Sequence, residues 1–94
     1  MKNIYFSIPV SIFKEGDDFV AYSPVLDLST CAGSIEEAHK MFEESTEIFF
    51  EELDRKGTMN DVLTSLGWKK ADSNWFPPTE ISHQTKKFSL ALKA

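Results

Sequence analysis

The chain has 94 residues, of which 41% are hydrophobic and 27% charged, and its formal net charge is −5. A chain of this length forms one small domain, for which association with further copies is a common source of stability. The negative charge disfavours binding to a phosphate backbone and favours a basic partner protein. No apolar run approaches the length of a membrane span, and the single cysteine, Cys31, allows no internal disulfide. We therefore expect a cytoplasmic protein that forms a homo-oligomer, either a dimer or a tetramer.

The first third of the chain predicts antiparallel β-structure. Residues 4–13 read IYFSIPVSIF, in which apolar residues alternate as in a strand with one buried face. Pro9 has no N–H for a ladder and marks an edge, a bulge or the start of regular pairing. Residues 14–18 predict a turn and residues 19–22 a returning strand, which together make a hairpin. Ser23-Pro24 interrupts that strand, and residues 28–32 are short enough to be a third strand.

The middle of the chain predicts a long helix followed by a shorter one. Ser34 and Glu37 form a capping box at the start, and Gly57 is a typical C-terminal cap. The predicted apolar face consists of Ile35, Ala38, Phe42, Ser45, Phe49 and Leu53, with Ile48 widening it. The second helix is expected between Thr58 as its cap and Gly67 as its end. The fold class is therefore α+β: an antiparallel sheet of three to four strands with a long helix packed on one face, in the order β-β-β-α(-α)-β.

The C-terminal quarter is less regular. Residues 68–70 are compatible with a short strand and residues 72–74 with a turn. In residues 88–92 the apolar side chains alternate, which indicates a last strand or a docked tail. We divide the chain into an α/β domain, residues 1–70, and a C-terminal extension, residues 71–94, in which no DNA-binding domain is recognisable.

The sequence offers little that indicates catalysis. Glu43, Glu47 and Glu51 recur at every fourth position along one helix stripe, but no histidine accompanies them at ligand spacing. We interpret this stripe as a solvated face that can also dock a basic partner. Asp27 is the most plausible specific acid, and there is no glycine-rich phosphate loop or local nucleophile–base pattern. The sequence therefore predicts neither an enzyme nor a bound cofactor or metal. Paired lysines near tail aromatics give only thin support for binding a single-stranded nucleic acid.

Residues 8–57 contain four elements in a characteristic order: Ile8-Pro9-Val10, the Glu15-Gly16 turn, Ala21-Tyr22-Ser23-Pro24-Val25-Leu26-Asp27, and Gly33-Ser34-Ile35-Glu36-Glu37-Ala38. In order, spacing and residue type they resemble the HicB-like antitoxin family. That family has a hairpin, an Ala-Tyr-x-Pro-x-Leu element, a short strand, and Gly-Ser/Thr-x-x-Glu-Ala at the start of a long helix. The resemblance implies a partial ribonuclease H-like domain without nuclease activity. The residues agree with the absence of nuclease activity. A ribonuclease H active site needs an acid in its first strand, and the first predicted strand, residues 4–13, contains none.

The same resemblance implies a function and a partner. HicB-like proteins typically neutralise a small basic HicA-like toxin, which cleaves mRNA, by masking its RNA-binding surface. The residues that we expect to contact such a partner are Tyr22, Ser23, Pro24, Asp27, Glu43, Glu47, Trp75 and Phe76. Nothing after Gly67 resembles the DNA-binding domain of many family members, which speaks against DNA binding. The alternative is a stand-alone oligomeric structural or regulatory module, without a toxin partner, whose tail completes its own oligomer.

Overall fold

A three-stranded antiparallel sheet opens the fold in the computed structural model, which describes residues 3–93. The strands are β1 (Ser11–Glu15), β2 (Asp18–Ser23) and β3 (Leu28–Ala32), in the spatial order β1-β2-β3. Glu15 lies opposite Asp18, so a two-residue turn joins the first two strands. Gly16 occupies that turn at φ 62°, a conformation that hairpin turns require and glycine adopts without strain. The predicted hairpin and third strand are confirmed.

The predicted first strand was wrong for residues 4–10, which are not paired into the sheet. Ser11 lies opposite Tyr22, so continuing the register would place Pro9 opposite Pro24. Neither proline has an N–H to donate, and the ladder therefore begins only after them. The alternation itself has a structural basis, because Ile4, Phe6 and Ile8 are half-buried against the core while the residues between them are more exposed or point away.

The long helix α1 (Ile35–Lys56) begins and ends where the sequence predicts. The Ser34 hydroxyl accepts a hydrogen bond of 3.1 Å from the backbone N–H of Glu37. At the other end Gly57 adopts φ 67°, and its N–H donates to the Asp54 carbonyl. The N–H of Thr58 donates to the Leu53 carbonyl, so two carbonyl groups of the last turn, those of Leu53 and Asp54, have donors from beyond the helix.

The apolar face of α1 is largely the predicted one, with Phe50 added to it and Ile48 left outside it. The buried side chains are Ala38, Phe42, Phe50 and Leu53. Ile48, expected to widen the face, is 59% exposed, and Ile35 is 50% exposed at the helix start. The helix packs on β2 and β3 rather than on β1. Phe50 is buried because α2 and the following hairpin cover that side of α1.

A short helix and a separate hairpin follow. Helix α2 spans Met59–Ser65, and strands β4 (Lys69–Ala71) and β5 (Asn74–Phe76) pair only with each other. The main sheet therefore has three strands, and the expected boundary after residue 70 falls inside the second hairpin. Thr58 precedes α2, but its side chain makes no capping hydrogen bond, contrary to our prediction.

The main core lies between α1, α2 and the second hairpin. Trp68 is 2% exposed, and its ring contacts those of Phe6 and Phe50 at centroid distances of 5.3 and 6.0 Å. Its indole N–H donates a buried hydrogen bond of 2.7 Å to the Val25 carbonyl. This bond connects the crossing between β2 and β3 to the end of α2, 43 residues later in the chain. A smaller cluster of Ala21, Ala38 and Phe42 fills the space between sheet and helix.

The C-terminal segment, residues 77–93, has no helix or strand. We expected a last strand or a docked tail over residues 88–92, but Phe88 and Leu90 are each 76% exposed and Leu92 is 84% exposed. Alternation alone cannot form a strand, because a strand needs a neighbour for its hydrogen bonds. The domain is otherwise α+β, with the order that the sequence predicts.

Candidate protein-binding surfaces

The face of the sheet that points away from α1 carries an apolar row that we did not predict. Phe13 lies opposite Val20, and Val20 lies opposite Cys31, so the three side chains cross the sheet side by side. Phe13 is 55% exposed, and Cys31 is also exposed. The signal was present in the sequence, because a two-residue turn at residues 16–17 fixes which residues face each other.

Tyr22 lies beside this row, on the same face, and contacts Asp27. Its hydroxyl donates a hydrogen bond of 3.3 Å to a carboxylate oxygen of Asp27. Asp27 is held in the left-handed region at φ 49°, where the chain turns between β2 and β3. Partial desolvation, and secondly the negative charge of Asp27, raise the pKa of the Tyr22 hydroxyl above 10.0. The phenol therefore remains a neutral hydrogen-bond donor near neutral pH, with its ring available to a partner.

Pro24 and Ser23, the other two predicted contact residues in this segment, differ in their exposure to solvent. Pro24 is exposed and lines a shallow groove with Pro9 and Pro78. Ser23 has no exposed surface, and its hydroxyl has no hydrogen-bond partner among residues 3–93. Ser23 faces the core because successive residues of a strand point to opposite faces, and Tyr22 faces outward. The Ser23 side chain is therefore not available to a partner.

The acidic stripe of α1 lies on the solvent side of the helix. Glu43, Glu47 and Glu51 are exposed, and within residues 3–93 none of them forms an ion pair. Glu52 differs, because it accepts a hydrogen bond of 2.7 Å from the Arg55 guanidinium. That bond, opposed by partial desolvation and supported by Lys56, lowers the pKa of the Glu52 carboxyl below 4.5. The stripe therefore presents carboxylates whose charge the protein does not itself neutralise.

The second hairpin places its two predicted contact residues in different environments. Trp75 is 7% exposed and belongs to the core, whereas Phe76 is 53% exposed. Trp75 also lines the floor of an open groove of about 610 Å³, which has Glu51 and Asp54 at its rim. Because Trp75 is buried, only the part of its indole that borders this groove is available to a partner. Phe76 is thus the better contact candidate of the two.

Outside the second hairpin, the exposed predicted contact residues consequently form two sets rather than one surface. Tyr22, Pro24 and Asp27 lie on or beside the open face of the sheet. Glu43 and Glu47 lie on the solvent side of a helix that covers the opposite face. A flat partner surface can contact one set but not both.

Two further findings concern the part of the chain that the structure describes. No three His, Cys, Asp or Glu side chains in it are arranged to hold a metal ion, and no helix in it is long and apolar enough to cross a membrane. No protein-family model, no curated protein and no solved structure matches this chain.

Proposed function

We propose that this protein is a cytoplasmic antitoxin that binds a small basic mRNA-cleaving toxin and masks its RNA-binding surface. The observation that carries the proposal is the acidic stripe of α1, Glu43, Glu47 and Glu51, which is exposed and has no cation within residues 3–93 paired to it. A surface that contacts RNA is positively charged, and opposite charges on two proteins raise the rate at which they associate. The stripe is thus complementary to the surface that must be masked.

The resemblance to HicB-like antitoxins supports the same function. Tyr22 and Ser23 end β2, residues 24–27 form the crossing to β3, and Ser34 caps the helix that follows β3, which is the order of elements that the resemblance implies. The net charge of −5 also favours a basic partner. We assign the first contacts to α1, because the three carboxylates of its stripe lie along one exposed side of a single helix.

The proposal is tested first by isolating the partner. The tagged protein is purified from its native host at low salt, and small basic proteins that co-purify in a stoichiometric amount are identified. We expect one that cleaves mRNA by itself and is inhibited when an equal amount of this protein is added. A bait that recovers no such protein at native expression would contradict the proposal.

Charge reversal then tests the surface. We expect Glu43→Lys together with Glu47→Lys to slow association about tenfold or more at low ionic strength, and much less near 1 M salt, where the Debye length is about 3 Å. The matched control is Asp17→Lys with Asp18→Lys, which changes the net charge equally but lies at the first hairpin turn and the start of β2. Equal effects of the two pairs would show that only net charge matters and would remove α1 from the interface.

A second candidate function is the stand-alone oligomeric module. The observation that favours it is the exposed row of Phe88, Leu90 and Leu92 in the C-terminal segment. Isolation of a stoichiometric toxin decides between the two functions, because a structural module has no such partner. The exposed row does not itself conflict with the antitoxin function, since it lies apart from α1 in the chain.

A further inference from the structure

The C-terminal segment exposes three large apolar side chains close together in the chain. Phe88, Leu90 and Leu92 occur at every second position, and all three are at least 76% exposed. The chain extends 55 × 29 × 24 Å and has a radius of gyration of 16.5 Å. A compact domain of this length has a radius of gyration of about 12 Å, so the segment projects from the domain. Contiguous exposed apolar side chains of this kind mark an interaction site.

The sheet offers an edge that suits such a segment. Strand β1 pairs with β2 on one side and with no strand of residues 3–93 on the other. On the helix-facing side, Ile12 of β1 is only half-buried, because α1 lies over β2 and β3, and so are Ile8 and Val10 in the unpaired segment that precedes β1. These three residues also recur at every second position. An unpaired edge with apolar side chains on one face is a template for a further strand.

The charges point to a second copy of this chain as the source of that strand. Residues 77–94 contain three lysines and one glutamate, a net charge of +2. Residues 1–76 contain seven lysines and arginines and fourteen acids, a net charge of −7. The segment of one copy is therefore attracted to the domain of another. A basic toxin, by contrast, would be repelled by Lys86, Lys87 and Lys93.

We propose that residues 86–92 add as a strand to the free edge formed by β1 and the preceding residues 8–10 in a second copy of this chain. Phe88, Leu90 and Leu92 then cover Ile8, Val10 and Ile12 of that copy. Two-fold symmetry allows each copy to donate one C-terminal segment and to receive one. The dimer is then closed, because neither a segment nor a receiving edge is left over. The inference rests on the segment and the edge and is independent of the antitoxin proposal.

The first test measures the mass of the full chain in solution by sedimentation equilibrium. We expect a dimer, and we expect Leu90→Ser to raise its dissociation constant about tenfold or more, because a leucine side chain leaves the interface. The matched control is Ile81→Ser, which removes an equally apolar side chain that is 90% exposed but lies outside the proposed strand. A monomeric full chain, or equal effects of the two substitutions, would overturn the proposal.

The second test is complementation between two full-length variants. One carries Phe88→Ser, Leu90→Ser and Leu92→Ser and cannot donate a strand; the other carries Val10→Lys, which places a charge on the receiving edge. Each alone is expected to be monomeric, while an equimolar mixture forms a mixed dimer through the one intact segment and the one intact edge. Circular dichroism checks that both variants fold, and Ile8→Lys replaces Val10→Lys if the latter does not.

The mass of the full chain, together with hydrogen exchange, distinguishes the other possible occupants of the edge. If the segment folded back onto β1 of its own chain, the full chain would be a monomer with protected amides at residues 86–92 in hydrogen exchange. If the segment bound a different protein, the full chain would be a monomer without that protection. Either result, or two folded variants that fail to associate, overturns the exchange of strands.

Discussion

The hydrogen bond from the Trp68 indole N–H to the Val25 carbonyl is expected to make a large single contribution to stability. It is 2.7 Å long and buried, and it joins the crossing that carries Asp27 to the end of α2. Trp68→Phe keeps most of the ring but leaves that carbonyl without its donor. A buried polar group left unsatisfied costs about 1–3 kcal/mol. Loss of the second ring of the indole also removes apolar burial, which costs about 1 kcal/mol more. We therefore expect the free energy of unfolding to fall by about 2–4 kcal/mol.

The matched control is Trp75→Phe, since Trp75 lies in the same core cluster but its indole makes no hydrogen bond within residues 3–93. Urea unfolding followed by far-ultraviolet circular dichroism gives both free energies from midpoints and slopes. We expect Trp68→Phe to cost about 1–3 kcal/mol more than the control, which corresponds to a difference in Tm on the order of 10 °C for a domain of this size. Equal losses for the two variants would refute the reasoning, because they would show that the hydrogen bond contributes nothing beyond ring packing.

Three further predictions concern caps, turns and titration. Ser34→Ala should lower the free energy of unfolding by about 1 kcal/mol, measured by urea unfolding, because an N-cap acceptor is lost. Gly67→Ala should cost more than Gly57→Ala in thermal melts: both glycines have positive φ, but only at Gly67 would a Cβ meet another atom, Pro78 Cγ, at 3.3 Å. The raised pKa of Tyr22 contributes stability that is complete below pH 10.0 and lost as the pH rises through the folded value, so Tyr22→Phe should flatten the alkaline decline of stability.

Local signals predicted much of the fold because their physics involves few neighbours. A glycine at positive φ determines the hairpin turn at Gly16, and a hydroxyl three residues before a free N–H determines the start of α1 at Ser34. Gly57 ends the helix for a similarly local reason. Each of these features is settled within a few residues. The predicted returning strand, third strand and long helix therefore agree with the structure to within a residue or two, whereas the predicted first strand begins seven residues too early.

What could not be predicted depends on which element lies next to which. Ile48 and Phe50 are both apolar and lie on different sides of α1, and only the packing of α2 and the second hairpin decides that Phe50 is buried. The same applies to Ser23 and Trp75, whose residue types suit a contact surface but whose positions face the core. The pattern of residues 4–10 indicated the buried face correctly, while the loss of pairing arises from two prolines brought opposite each other by the register.

The two proposals concern different surfaces, which allows each to fail without the other. The acidic stripe lies on the outside of α1, which covers β2 and β3, whereas the proposed strand exchange uses the free edge of β1. A dimer closed through β1 therefore leaves both acidic stripes open, and a basic partner should bind with one molecule per subunit. It follows that the variant with Phe88, Leu90 and Leu92 replaced by serine should lose the dimer and still bind the partner at an unchanged rate. If that variant lost both the dimer and the binding of the partner, the C-terminal segment would itself belong to the partner interface. The attraction between the two proteins would then not come from α1 alone.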